Sequence, residues 1–408
     1  MAPKITHIDT AAVRIVGPSL IVRIWAGEVY GIGECYPSGP VTAVDAIVTS
    51  LKEALIGEDP RNVQRLHEKM RRWHIFTGGQ AGTVLTAISG LDFALWDLAG
   101  KIHGVPVYQL LGGTYRSRVR LYADCNAGTV DAAGHHRGDA ELADPATPEG
   151  RAAFANAARG ALDLGFTAVK FDVDDVFGAL STDEWNRTLS NTQIDRMVNQ
   201  VGAIRDEVGP SFDLAIDMHA RFDTSSGLRA AQALEQFNLL WLEEPVPPEN
   251  IDALAYIRAN TRTPICAGEN LYTRYPFLEL FNKSAVDCVM PDLAKFGGLT
   301  EGRRVADLAE LHYVPFAPHN VSGPIGTLAA AHLCAVVSNF SVLEFHAMDV
   351  PYFEALVSRP SGPIVENGYI QLSEEPGFGV TLNEEVAFEH RHRSSEISFF
   401  DLGAPRVA

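Results

Sequence analysis

The sequence predicts a (β/α)-barrel with an additional α+β unit, and two features of the chain indicate this fold. Short apolar runs alternate with helical stretches between residues 118 and 361, and a group of strands followed by helices precedes them. Alternating strands and helices form parallel sheets, and about eight such repeats favour closure into a barrel. An open doubly wound sheet is the alternative, but no glycine-rich dinucleotide or phosphate motif follows the first strand.

Residues 1–117 are predicted to form the α+β unit. Apolar and polar residues alternate over residues 5–36, as in Ile5–Thr10 and Ser19–Ile24, which is typical of an antiparallel meander. Residues 41–112 read as helices, and Thr83–Gly100 has apolar residues at helical spacing. Strands followed by helices in one segment favour an α+β arrangement.

Residues 118–361 are predicted to form the barrel, with eight strand candidates rich in apolar and β-branched residues. These are Arg120–Cys125, Ala168–Val173, Asp213–Met218, Leu239–Pro245, Pro264–Asn270, Ala285–Asp292, Val314–Asn320 and Phe340–Phe345. The segments Ala127–Gly150 and Asp174–Asn191 are longer than usual strand–helix loops, so they are either substrate loops or surface insertions. In the tail, residues 362–408, we expect short strands at Gly368–Leu372 and Ile397–Phe400 that pack on the N-terminal unit.

Composition restricts the possible partners. The chain has 33 basic and 51 acidic residues and a net charge of −18, which argues against nucleic acid and anionic membranes. It lacks an apolar run long enough for a transmembrane helix, and its N-terminus lacks the apolar core of a secretory signal. The five cysteines are scattered without a CxxC pair, so we expect reduced thiols in a cytosolic protein.

Six predicted strands end in an acidic residue or a histidine, at the end where barrels carry their reactive groups. Three of these strands end in the carboxylates Asp217, Glu243 and Glu269, which are spaced 26 residues apart along the sequence. Three carboxylates at one point repel each other unless they are protonated or a cation lies among them, and an all-oxygen set suits Mg²⁺. Separate helix N-caps are the alternative, but capping does not require three carboxylates in register.

The next two strands end in Asp292 and His319. A carboxylate bonded to one imidazole nitrogen fixes the tautomer and raises the basicity of the other nitrogen, so we predict that His319 is a general base. His219 follows Asp217 by two residues, and residues i and i+2 of a strand face the same way. His219 is therefore a candidate general acid, or else a supporting residue behind a metal ligand.

Lys170 and Glu344 complete the predicted site, at strands two and eight. Removing a proton next to a carboxylate creates an enediolate, whose charge Mg²⁺, Lys170 and Glu344 would stabilise. A salt bridge at the core edge is the alternative role for Lys170, whose neighbour on the same face is Asp172. His346 shares the face of Glu344, and we predict at most a minor role for it in the site.

Taken together, these residues resemble the enolase superfamily, specifically its mandelate racemase-like group, over essentially the whole chain. The segment Ala87–Lys101, continuing through Pro106 to Leu110–Gly112, is similar to a signature of the family's capping domain. The resemblance implies a modified TIM barrel, (β/α)7β-like, whose capping domain combines the N-terminal region with the C-terminal tail. It also implies Mg²⁺ on Asp217, Glu243 and Glu269, an Asp292–His319 dyad, and closure of the site by the capping domain and the loop Val16–Ser19.

One departure from the family pattern bears on the reaction. Racemases of this group carry Lys-x-Lys on strand two, whereas this chain has Lys170-Phe171-Asp172, which disfavours racemisation. The pair Asp217-x-His219 is similar to the sugar-acid dehydratases, which implies that His219 protonates the leaving C3 hydroxyl while His319 takes the C2 proton. We therefore expect a Mg²⁺-dependent aldonate dehydratase, with galactonate, mannonate or gluconate as examples of the substrate class. A cycloisomerase or epimerase of a sugar acid or lactone, and a catalytically silent metal-binding barrel, are the alternatives; homo-oligomers are common among such barrels.

Overall fold

The computed structural model describes residues 2–36, 41–127, 143–174, 185–392 and 397–400. The N-terminal unit begins with the predicted antiparallel meander, which is confirmed: strand β2 pairs with both β1 and β3. The three strands are β1 (His7–Arg14), β2 (Pro18–Ala26) and β3 (Val29–Cys35). The helices that follow are α1 (Val41–Leu55), α2 (Val63–Trp73), α3 (Gly82–His103) and α4 (Val107–Leu110).

Helix α3 packs against β3 at a distance that only glycine permits. The helix is buried continuously from Val84 to Gly100. A Cβ added to Gly33 would overlap the carbonyl oxygen of Gly90, and one added to Gly31 would overlap that of Ala94. The glycines of β3 therefore set the spacing between sheet and helix.

The barrel strands are parallel and their order closes a ring. They are β4 (Arg118–Cys125), β5 (Ala168–Asp172), β6 (Asp213–Asp217), β7 (Trp241–Glu243), β8 (Ile265–Ala267), β9 (Cys288–Val289) and β10 (Leu343–Phe345). Between them lie α5 (Pro148–Asp163), α6 (Asn191–Val208), α7 (Thr224–Leu234), α8 (Ile251–Ala259), α9 (Arg274–Asn282), α10 (Gly298–Leu311) and α11 (Pro324–Ala335). Each strand pairs with the next from β4 to β9, and β10 pairs in parallel with β4. The barrel is therefore closed, as predicted.

The seventh strand is shorter than the prediction Val314–Asn320. Phe316 alone forms parallel bridges here, to Val289 on one side and Phe340 on the other. Pro315 and Pro318 flank Phe316, and proline has no N–H to donate to a ladder. The ring still closes at this point, because Phe316 bridges to the neighbouring strand on each side.

The barrel interior is filled rather than open. Inward-facing side chains from the strands form one buried cluster. Its members are Tyr122, Ala168, Ala215, Trp241, Cys266, Cys288, Met290, Ala317 and Val342. This layer fills the barrel beneath the carboxyl-terminal strand ends. A small molecule can therefore reach these strand ends only from the carboxyl-terminal mouth.

The tail divides between the two units, and this corrects the expectation that all of it packs on the N-terminal unit. It contains β11 (Val357–Ser358), β12 (Val365–Glu366), β13 (Tyr369–Gln371), β14 (Thr381–Leu382) and α12 (Glu384–Glu389). Strand β13 pairs antiparallel with the first half of β4, at the barrel. Residues 397–400 form no strand, contrary to prediction, but the N–H of Ala12 in β1 donates to the carbonyl of Ile397 at 3.1 Å.

The long loops, the cysteines and the helices bear on the remaining expectations. Most of the two long loops, Ala127–Gly150 and Asp174–Asn191, lies outside the described residues. The five cysteines are buried free thiols. Within the described ranges, no helix has the length and apolar character needed to cross a membrane.

Candidate active site

Three buried carboxylates converge at the mouth of the barrel. Asp217 and Glu243 are the last residues of β6 and β7 and lie directly opposite each other, and Glu269 follows β8 by two residues. One oxygen of each carboxylate lies within 4.8 Å of the others. We call Asp217, Glu243 and Glu269 the carboxylate triad; its geometry and its all-oxygen chemistry fit a divalent cation.

Two cations of the chain partly compensate the charge of the triad. Lys170 Nζ lies 3.1 Å from Glu243 Oε1 and 3.3 Å from Asp217 Oδ2, and His319 Nε2 lies 2.8 Å from Glu269 Oε2. Burial and the charge of Asp217 nevertheless raise the pKa of Glu243 well above its usual value. Burial would also raise the pKa of Glu269, but His319 outweighs it and holds that pKa well below its usual range. The triad thus carries more negative charge than the protein neutralises.

The predicted dyad is assembled after strand six of the barrel, which is β9, and strand seven, which is formed by the bridges at Phe316. His319 Nδ1 lies 2.7 Å from Asp292 Oδ2, and both side chains are buried. The other oxygen, Asp292 Oδ1, accepts from the N–H groups of Ala294 and Lys295 at 2.8 and 3.1 Å. Backbone bonds therefore fix the carboxylate, and the carboxylate fixes the imidazole with Nε2 toward the triad.

His219 also reaches the triad, although the strand-alternation argument for it was wrong. Strand β6 ends at Asp217, and His219 has a left-handed backbone with φ of 44°. The turn is held by a bond from the His219 N–H to Asp217 Oδ1 at 2.7 Å. It brings His219 Nε2 to 3.6 Å from Asp217 Oδ2, while Nδ1 lies 2.9 Å from Asp174 Oδ1.

Lys170 and Glu344 form a buried pair beneath the triad. Lys170 Nζ lies 2.8 Å from Glu344 Oε1, and Glu344 Oε2 accepts from the N–H of Asn320 at 2.9 Å. Burial would lower the pKa of Lys170, but Glu243 and Glu344 raise it well above its usual value. The surrounding carboxylates thus favour the charged ammonium of Lys170, and the alternative of a structural ion pair describes its contacts equally well.

Several residues at the site were not predicted from the sequence. Asp174 accepts from Arg221 Nε at 2.7 Å as well as contacting His219, which makes it the counterpart of Asp292. Trp241 Nε1 donates to Glu243 Oε2 at 3.1 Å, and Asn270 Nδ2 donates to Glu269 Oε1 at 2.8 Å. The spacing Trp241-x-Glu243 was a readable signal, because residues two apart in a strand share a face.

The N-terminal unit is tied to the barrel mouth by Glu34 of β3. This buried carboxylate accepts from the N–H groups of Gly323 and Gly326, at 2.7 and 3.0 Å, where α11 begins after strand seven. The next residue but one, Tyr36, lies within electrostatic reach of His319, and burial raises the pKa of its hydroxyl. The N-terminal unit therefore contributes to the wall of the site.

Two further groups of three carboxylate or imidazole residues lie at the mouth. They are Asp124 with Glu344 and His346, and Asp172 with Asp174 and His219. In each, Nδ1 of the histidine is already bonded to a carboxylate of the same group. The carboxylate triad is therefore the better metal site, because all three of its members offer oxygen.

Two family models together match most of the chain. The model described as mandelate racemase / muconate lactonizing enzyme, N-terminal domain, matches residues 7–112, and the enolase C-terminal domain-like model matches residues 153–386. A solved structure of a mandelate racemase/muconate lactonizing enzyme-like protein from Rubrobacter xylanophilus superposes with a TM-score of 0.92 and 59% identity, covering 97% of this chain and 100% of that one. The protein belongs to the mandelate racemase/muconate lactonizing enzyme family of the enolase superfamily.

The names of two curated relatives narrow the reaction type within this family. The D-xylonate dehydratase of Haloferax volcanii is 38% identical over 95% of this chain and 89% of that protein. The D-galactonate dehydratase of Verminephrobacter eiseniae is 32% identical over 95% of this chain and 94% of that protein. The chain is accordingly a hydro-lyase, an enzyme that eliminates water from a small-molecule substrate.

Proposed function

We propose that the protein is a Mg²⁺-dependent dehydratase of a sugar acid, converting an aldonate to a 2-keto-3-deoxy acid. The observation that carries this proposal is the placement of two carboxylate-bound histidines, His319 and His219, on opposite sides of the triad. His319 Nε2 lies 2.8 Å from Glu269 Oε2 and His219 Nε2 lies 3.6 Å from Asp217 Oδ2, so the two imidazoles approach the triad at its strand-five and strand-three ends. The relatives named for xylonate and galactonate support the substrate class.

The proposed cation is Mg²⁺, held by Asp217, Glu243 and Glu269. When bound, it supplies positive charge that stabilises the substrate carboxylate and the negative charge developing on it. Burial and the charge of Asp217 raise the pKa of Glu243, and a cation at this position would favour its ionised form.

The residues of the chain then divide the proton transfers. His319 Nε2 takes the C2 proton, with Asp292 holding the proton on Nδ1 and stabilising the imidazolium. The C3–O bond breaks, and His219 Nε2 gives a proton to the departing oxygen, which leaves as water. The resulting enol becomes the 2-keto acid. Lys170, beside Glu344, faces the carboxylate end, where its charge opposes that of the dianion.

The resting contact between His319 and Glu269 bears on this scheme. Burial would lower the pKa of His319, but Glu269 and Glu344 raise it well above its usual value. A histidine can accept a proton only when Nε2 is free and neutral. Compensation of the Glu269 charge by another cation is therefore a condition for His319 to act as a base.

A screen of purified protein with Mg²⁺ against aldonic and aldaric acids tests the proposal, with semicarbazide detecting 2-keto products. We expect product from at least one aldonate and none with the Glu243→Gln variant. Exchange of the C2 proton in D₂O without any keto product would overturn dehydration in favour of epimerisation or cycloisomerisation. The absence of both across the library would overturn an enediolate chemistry on sugar acids.

A further inference from the structure

A third histidine–carboxylate pair lies at the barrel mouth, away from the triad. The register that pairs Phe345 with Ala123 places His346 beside Asp124, and His346 Nδ1 forms a hydrogen bond with Asp124 Oδ2. His346 and Asp124 each follow an inward-facing residue, Glu344 and Tyr122, by two positions. The pair therefore lines the same cavity: Asp124 pairs in register with Lys170, and His346 lies one step closer to the opening than Glu344.

The pair is ionic and one nitrogen of it remains available. Burial would raise the pKa of Asp124, but His346 outweighs it and lowers that pKa to about 2. Burial would lower the pKa of His346, yet Asp124 raises it. Nδ1–H thus points to Asp124, and about a third of the His346 side chain, 32%, is exposed. In the described ranges His346 makes no second hydrogen bond, so Nε2–H is free to donate to a bound molecule.

The position of His346 relative to Glu344 determines which part of a substrate it can meet. Two residues along a strand advance by about 6 to 7 Å. The substrate carboxylate is proposed to lie at the level of Lys170 and Glu344, and the interior layer around Tyr122 and Trp241 fills the barrel below. The carbon chain can extend only toward the mouth, which brings atoms beyond C3 to the level of His346.

We propose that His346, oriented by Asp124, is a specificity-determining residue that donates from Nε2 to a hydroxyl oxygen carried beyond C3 of the substrate. The inference rests on the proposed function, because it assigns the distal part of the same substrate. A site that hydrogen-bonds a substrate hydroxyl rejects an analogue lacking it, since its own polar group is left unpaired. His346 would thereby select for chain length and for stereochemistry beyond the reacting carbons.

The test pairs a substitution in the protein with a deletion in the substrate. The wild-type enzyme and His346→Ala are compared on the best aldonate and on its deoxy analogues at C4 and C5. In the wild type we expect kcat/KM to fall about 100-fold for one analogue, because the donor of His346 is then left unpaired. In His346→Ala that preference shrinks to about threefold, mainly through a higher KM for the full substrate, while turnover of the deoxy analogue is retained. The conservative variant His346→Gln restores part of the preference, because its amide can donate.

A structural role for His346 gives a different result. It lowers kcat/KM for the full substrate and the analogue by the same factor and leaves the preference unchanged, which would overturn the proposal. His7→Ala serves as the matched control, because His7 also lies near an aspartate, Asp9 at 3.5 Å, but belongs to β1 of the N-terminal unit. We expect that variant to keep the wild-type preference.

Binding measurements separate this inference from the proposed reaction. Calorimetric affinities for the aldonate and its deoxy analogue, measured with Mg²⁺ in a His319→Asn background, do not depend on turnover. A difference in affinity that His346→Ala abolishes supports the subsite even if no dehydration is found. Equal affinities for the two compounds in the His319→Asn background would overturn it even if dehydration is observed.

Discussion

The 2.7 Å contact between His319 Nδ1 and Asp292 Oδ2 joins strand seven to strand six and directs the opposite nitrogen toward the triad. If the charge of Asp292 stabilises the imidazolium formed in proton abstraction, Asp292→Asn should lower kcat by about 10² to 10⁴-fold. Mg²⁺ affinity should change little, because Asp292 is outside the triad. Steady-state kinetics and Mg²⁺ titration measure the two effects. A variant with near-normal kcat would contradict the role assigned to the dyad.

The two histidines should be separable by isotope exchange. His219→Asn removes the proposed acid but leaves the proposed base, so we expect loss of dehydration with continued exchange of the C2 proton in D₂O. His319→Asn should lose both activities while still binding Mg²⁺. NMR of the recovered substrate measures exchange. If His219→Asn lost exchange and His319→Asn kept it, the two roles would have to be reversed.

Metal binding should appear as a stability change that depends on the triad. A ligand at about one hundred times its Kd stabilises the folded state by about 2.7 kcal/mol, so Mg²⁺ should raise the Tm of the wild type. Glu243→Gln should abolish most of this rise, because it removes one anionic oxygen ligand. Glu53→Gln, on the exposed face of α1, is the matched control and should keep it. Calorimetric scans with and without Mg²⁺ decide the matter, and an undiminished rise in Glu243→Gln would count against the assigned ligands.

The barrel and the ends of its strands were predictable because short apolar runs and their spacing along the chain are local properties. The short seventh strand follows from Pro315 and Pro318, whose effect on the ladder the apolar pattern hides. The Asp174–His219 contact could not be predicted, because it depends on a left-handed turn at His219. The pairing of His346 with Asp124 requires the closure of strand eight onto strand one, 222 residues apart in sequence. Contacts between distant strands follow from ring closure, and no local pattern encodes them.

The contact between β3 and α3 should be intolerant of a single methyl group. In Gly33→Ala the new Cβ overlaps the backbone of Gly90, which cannot move without displacing α3, so a loss of stability of about 2 to 4 kcal/mol is expected. Gly160→Ala is the control: this glycine is exposed in α5 with open space around it, and alanine should stabilise the helix by about 0.5 to 1 kcal/mol. Denaturant unfolding of both variants gives the comparison. Equal stability of Gly33→Ala and wild type would show that sheet and helix are not in rigid contact.

Acid stability should depend on His332, a buried histidine of α11 remote from the active site. Its Nδ1 accepts a bond from the N–H of Tyr108 at 3.1 Å, which requires the neutral ring, and the ring packs against Tyr108 and Phe378. Burial lowers the pKa of His332 from 6.5 to about 3, with Arg359 also opposing the charge.

The unfolded chain therefore binds this proton first as the pH falls. The contribution of neutral His332 is complete above pH 6.5 and is lost progressively as the pH drops toward about 3. A shift of this size corresponds to a loss of unfolding free energy on the order of 5 kcal/mol. His332→Asn keeps an oxygen that can accept from Tyr108 but cannot titrate, so the difference in unfolding free energy between wild type and variant should narrow or reverse across this range. Parallel stability curves for the two proteins between pH 7 and pH 4 would show that protonation of His332 does not affect stability, because the difference between a titrating and a non-titrating side chain must change over this range.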